Sequence, residues 1–277
     1  MEVPECVALA RRLGLPEGAR PCPGCRGPPL PSYFREGRGL GCWVAHTALS
    51  AVEAADLAEE LDPLLRRLGL RGSVLDAALL HDVGKLTEEY VERAYHYHNF
   101  ASAVVAEDVL ARMGVGEDRF VVASAVLLHH EARHWEELLR EPLPGHVIET
   151  LRGGPFRLHR SARAALEALS GLLERAGLGS EVPRLVGEKE VYEVKREVKV
   201  KIARVAVPER VLPLYWVLYE ADNRAASARE GRYWLWSLGE AGRRDPLRLA
   251  GEALGQGLLA GLTAVSVPLR RARGVMG

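Results

Sequence analysis

Residues 77–85 read Ala77-Ala78-Leu79-Leu80-His81-Asp82-Val83-Gly84-Lys85, and the rest of the chain is organised around them. Four apolar residues place this stretch in a packed interior, which then receives a histidine and a carboxylate side by side. Burying such a pair costs several kcal/mol unless something compensates its charge, and a bound cation is one compensation. Adjacent His and Asp can ligate one metal, and a carboxylate can bridge two. Gly84 is expected to allow a sharp exit before Lys85.

The chain has 277 residues, enough to bury a full core. Hydrophobic residues make up 48% and the charges balance at 37 basic against 37 acidic, so a nucleic-acid contact would need a local patch. The opening Met1-Glu2-Val3-Pro4-Glu5-Cys6 has neither the basic nor the apolar region of a secretion signal. The longest apolar stretch, 254–269, is interrupted by Gly255, Gln256, Gly257 and Gly261 and is short for a membrane span. The expectation is a cytoplasmic, unanchored protein. Gln256 is the only glutamine, and Asn99 and Asn223 are the only asparagines. Scarce amides suit a thermophile, as GC-rich coding suits the abundance of arginine.

Three parts are expected: a Cys-, Pro- and Gly-containing segment over 1–42, a main domain over 43–230 and a helical extension over 231–277. In the first, Cys22-Pro23-Gly24-Cys25 is half of a zinc knuckle, which Cys6 and Cys42 would complete; disulfides and free thiols are the alternatives. From Trp43 the apolar residues Val44, Leu49, Val52, Ala55 and Leu61 recur near the helical period, with His46 in the first turn. Ser73 and Asp76 resemble a capping box for the helix that carries His81 and Asp82.

Further helices are expected from His98, over 119–133 with His129 and His130 near its end, over 159–176, from Pro213 through Asp222, and over 246–260. The macrodipole alone can place histidines at a helix C-terminus. Residues 188–207 instead alternate, with Val198, Val200 and Ile202 between Lys199 and Lys201. They predict a basic β-hairpin, either an ordinary solvated ribbon or an arm that touches nucleic acid. Asp222 lies among small and apolar residues and needs a partner.

The ordered set His46, His81-Asp82, His98, His129-His130 and Asp222 resembles the HD superfamily of metal-dependent phosphohydrolases, which are helical proteins. Four motifs in order bring it closest to the HD nuclease of type I CRISPR interference, in its stand-alone archaeal form. They are His81-Asp82-Val83-Gly84-Lys85, His98 with Ser102-Ala103, Leu128-His129-His130, and Ala221-Asp222 with Ala226-Ser227. The resemblance covers roughly 43–230 and implies a mainly α bundle with a small β-hairpin insertion. It implies two divalent ions: His46, His81, Asp82 and Asp222 on the first, His98, His129 and His130 on the second, with Asp82 bridging. Imidazole-rich ligation favours Mn, Fe, Co, Ni or Zn over Mg. Lys85 is expected to neutralise a phosphate oxygen. The implied substrate is single-stranded DNA, or RNA, and the implied partners are a separate CRISPR helicase and an RNA-guided surveillance complex. No Gly-x-x-x-x-Gly-Lys-Ser/Thr loop is present for ATP. A phosphohydrolase of small nucleotides or cyclic oligonucleotides is the competing enzyme class. The Gly-Tyr-Pro signature expected of two-metal cyclic-dinucleotide phosphodiesterases does not follow Gly84.

Overall fold

A computed structural model describes residues 3–15, 30–93, 98–129, 155–194 and 208–230. Two compact units divide at 234/235, and the second lies outside the described residues, as does the helix expected over 246–260. Among the described residues the first is a mainly α-helical bundle with two small antiparallel β pairs.

The hub is α2 (Trp43–Glu60), which buries residues on almost every side, including Trp43, Ala45, Leu49, Ala51, Ala54 and Leu57. A helix apolar all round belongs at the centre of a bundle, and its alanines let neighbours approach closely. Around it pack α1 (Pro4–Arg12), α4 (Ser73–Leu80), α8 (Ala162–Arg175) and α10 (Pro208–Ser227). A second layer pairs α6 (His98–Arg112) with α7 (Asp118–Leu128), and α10 reaches α7 and α4 as well. Arg210 pins α10 to α7 through Asp118, at 2.6 and 2.9 Å. The short helices α3 (Asp62–Arg67), α5 (Glu88–Arg93) and α9 (Val182–Gly187) fill the periphery. Gly69 (φ +68°) ends α3, letting the Leu70 amide reach back to the Leu65 carbonyl at 2.8 Å.

Several expectations change. Ser73 does not cap α4: it is the first helical residue, Gly72 precedes it with helical angles, and no side chain closes the end. Asp76 is half-buried instead, with its carboxyl pushed up to about 6 by burial. Glu53, a polar residue of α2, is buried against Arg224 of α10. Pro213 lies inside α10 and not at its start, because Pro208 takes the first turn. Helix α7 stops at Leu128, short of the expected 133, and α8 begins at Ala162, three residues late.

The β structure also differs. The Gly-rich stretch before α2 forms a hairpin, β1 (Tyr33–Arg35) with β2 (Arg38–Leu40), turning at Glu36-Gly37 where both φ angles are positive. Within 188–207, only β4 (Val191–Tyr192) is a described strand. It pairs antiparallel with β3 (Phe156–Arg157), far back in the sequence. The basic residues Lys195, Arg196, Lys199, Lys201 and Arg204 lie outside the described residues.

Candidate metal centre

The apolar face of α4 buries Ala77, Ala78, Leu79 and Leu80, and the helix ends there. His81 and Asp82 occupy the junction with a 3₁₀ turn, Val83–Leu86. Trp43 at the start of α2 fixes this junction by donating its indole N–H to the Asp82 carbonyl at 2.8 Å. Gly84 does not serve a left-handed turn. A Cβ there would collide with the carbonyl oxygen of His98, so glycine is what lets the 3₁₀ turn lie against α6. The Gly84 amide then donates to Ser102 Oγ at 2.8 Å, and Asn99 of α6 donates to the Leu127 carbonyl of α7 at 2.7 Å.

This packing gathers the polar groups around one carboxylate. Asp82 Oδ2 lies 3.4 Å from both His46 Nε2 and His81 Nε2. Asp222 Oδ1 faces the same two nitrogens at 2.9 and 3.6 Å. On the other side, Asp82 Oδ1 lies 3.1 Å from His98 Nε2 and 3.6 Å from His129 Nε2. Two clusters result, His46–His81–Asp82–Asp222 and Asp82–His98–His129, with the ligand atoms of each within 4.8 Å of one another. The structure thus brings together, among the described residues, the side chains expected around each ion. His130 lies outside them.

Cations fit this arrangement. His46 Nε2, His81 Nε2 and Asp82 Oδ1 are buried and make no aligned hydrogen bond among the described residues. Such groups are costly unless something binds them. The donor set of imidazole and carboxylate suits first-row transition metals.

Protonation follows from the same geometry. Burial opposes ionisation of both carboxylates. Even so, Lys85 and His81 beside Asp82 hold it well below the usual carboxylate range, and His46 and His81 do the same for Asp222. Burial also disfavours charge on His81, but Asp82 and Asp222 outweigh it and push the ring up to about 10. His98 goes the other way: burial, reinforced by Lys85, brings it down to about 3, so it stays neutral as a ligand must be.

Lys85 does not occupy the expected position. It is 4% exposed, and its ammonium bonds Asp82 Oδ2 at 2.6 Å, so its charge is spent on the shared carboxylate. Trp43 and Asn99 support the site in ways no motif announces, and Ser102, part of the His98 motif, does so by accepting from the Gly84 amide. Cys6 is half-buried and Cys42 buried, while Cys22 and Cys25 lie outside the described residues. No cysteine enters a metal-ligand cluster among the described residues, so the zinc expectation gains no support.

The HD domain family model matches residues 44–178, which hold every ligand described above except Asp222. No curated protein matches the chain. The chain carries an HD-superfamily metal-binding domain, and its buried His/Asp clusters support the metal-dependent hydrolase activity typical of that superfamily. No helix among the described residues is long and apolar enough to cross a membrane.

Proposed function

We propose that the protein is a metal-dependent nuclease that hydrolyses phosphodiester bonds of single-stranded DNA. The observation that carries this reading is the second cluster: Asp82, His98 and His129 share a carboxylate with the first and offer a place for a second ion. A pair of cations in such clusters activates water and stabilises the departing oxygen of a phosphodiester. The chain's own residues do the rest. His46, His81 and Asp222 would hold the first ion and His98 and His129 the second. Asp82 would bridge the two, and Lys85 keeps the Asp82 carboxylate ionised and fixed in place.

A polynucleotide is favoured over a small nucleotide by the motif order, in which Asp222, Ala226 and Ser227 complete the resemblance to the CRISPR HD nuclease. Strand separation costs on the order of 1.4 kcal/mol per base-pair step, and no ATP-binding loop is present to supply it. A separate helicase acting with an RNA-guided surveillance complex would deliver the single strand.

The test is incubation of the manganese-loaded protein with circular single-stranded DNA, circular RNA, blunt duplex and a nucleotide panel. Cutting of the DNA circle with the duplex spared is the expected result. An untouched circle with turnover of nucleotides or cyclic oligonucleotides would replace this reading with that of a small-nucleotide phosphohydrolase.

A further inference from the structure

The histidines of the centre are not held alike. His81 Nδ1 lies 2.7 Å from the Ala78 carbonyl oxygen, and His129 Nδ1 lies 2.5 Å from that of Val126. A carbonyl only accepts, so each ring carries a proton on Nδ1 and presents Nε2 to its cluster. Both rings are thereby oriented with Nε2 towards their clusters.

His46 is held the other way round. Its Nδ1 faces Arg229 Nη2 at 3.3 Å, and a guanidinium only donates. Nδ1 therefore accepts, and the proton of the neutral ring sits on Nε2. Two carboxylate oxygens face that nitrogen, Asp222 Oδ1 at 2.9 Å and Asp82 Oδ2 at 3.4 Å. Neither is aligned for a hydrogen bond with it, so the contact with Arg229 is what selects the tautomer. It is the wrong one for ligation through Nε2, where a metal needs the lone pair.

Arg229 is itself held from several directions. Its Nε donates to Glu5 Oε1 at 3.2 Å, and its guanidinium carbon lies 4.5 Å from the centre of the Tyr33 ring. Glu5 is fully buried and also accepts from Ser32 Oγ at 2.9 Å. Gly41 (φ +73°) makes room, since a Cβ there would collide with Ser32 Oγ and Glu5 Oε1. Glu5, Ser32, Tyr33 and Arg229 all lie outside the matched segment 44–178, so this support is an addition around the HD core.

We infer that Arg229 is a positioning residue for His46 that holds it in the non-ligating tautomer until the first cluster is loaded. Loading requires Nε2 to give up its proton and Nδ1 to take one, with no net gain or loss. An N–H then faces an N–H, so the Arg229–His46 contact breaks while Glu5 and Tyr33 keep the guanidinium nearby. The inference rests on the reading of the first cluster as a metal site.

Long-range ¹⁵N–¹H NMR of the full chain, with labelled histidine and with zinc as a diamagnetic probe, reads the tautomer directly. Zinc isotherms on the same samples read the affinity. In the metal-free parent His46 should carry its proton on Nε2, and in the zinc-loaded parent on Nδ1. Arg229→Gln, which removes the charge, and Arg229→Lys, which keeps it but loses the fork spanning Glu5 and His46, should both lose the Nε2–H preference. Both should bind zinc at the first cluster roughly tenfold more tightly, because a charge-assisted hydrogen bond no longer has to break. An effect of charge alone would leave the Lys variant like the parent and would overturn the inference. So would a metal-free parent already protonated on Nδ1, or a folded Gln variant that binds zinc more weakly. If the variants do not fold, the parent's tautomer with and without zinc decides. A parent that takes up no zinc at the first cluster refutes the metal reading itself; uptake with an unchanged tautomer refutes only the role of Arg229.

Discussion

Gly84 and His98 approach so closely that any side chain at 84 would strike the His98 carbonyl oxygen. The contact joins the two halves of the centre, because the turn that carries Asp82 is seated on the helix that carries His98.

Gly84→Ala should therefore push α6 away from the 3₁₀ turn. Overpacking of this kind costs about 1–3 kcal/mol, read as a lower melting temperature. The chemical signature is selective: the second cluster should lose metal before the first, because His98 moves and His46 does not. Equal metal content in variant and parent would show that the contact is not what places His98.

Asp82 is the residue both clusters share. Asp82→Ala would leave Lys85 buried without its partner, a defect of about 3–5 kcal/mol, so Asp82→Asn is the cleaner variant. It should lose metal at both clusters and nearly all hydrolysis, with helical circular dichroism retained. Two ions per folded Asn variant by elemental analysis would contradict the shared role.

The outer ligands should separate the sites. His98→Ala should empty the second cluster and leave the first, and Asp222→Ala the reverse, as read by metal stoichiometry. Loss of both ions from His98→Ala would mean that the clusters behave as one.

Protonation gives a pH profile for the metal-free protein. With His81 at about 10 against an ordinary 6.5, its stabilisation is complete below about 6.5 and lost as pH rises through about 10. His98, at about 3, has the opposite sign: stability is lost as pH falls from about 6.5 towards 3. The melting temperature should peak near pH 6.5. Metal uptake at neutral pH must displace the His81 proton, so calorimetry in buffers of differing ionisation enthalpy should show about one proton released per protein. No release would place His81 outside the ligand set.

The residues of the two clusters were legible in the sequence because they are polar groups set against apolar helical patterns: His46 in α2, Asp82 after α4, His129 after α7 and Asp222 in α10. Their supports were not. Glu5 and Arg229 are separated by nearly the whole described chain, and nothing local marks either as a partner of His46. Lys85 was legible as important but not in its role, since motif position says nothing about whether an ammonium faces substrate or turns back on Asp82. The 33–40 hairpin was hidden because Glu36-Gly37 is a weak turn signal beside Asn-Gly. The alternating residues of the ribbon expected at 188–207 lie outside the described residues, and alternation does not reveal that β4 pairs with residues before α8.

The central claim is that one carboxylate, Asp82, is shared by two metal ions. Anomalous X-ray diffraction from manganese-loaded crystals tests it most directly. Two peaks should flank the Asp82 carboxylate, one bounded by His46, His81 and Asp222 and the other by His98 and His129. A single peak at saturating manganese, or two peaks that do not share Asp82, would contradict it.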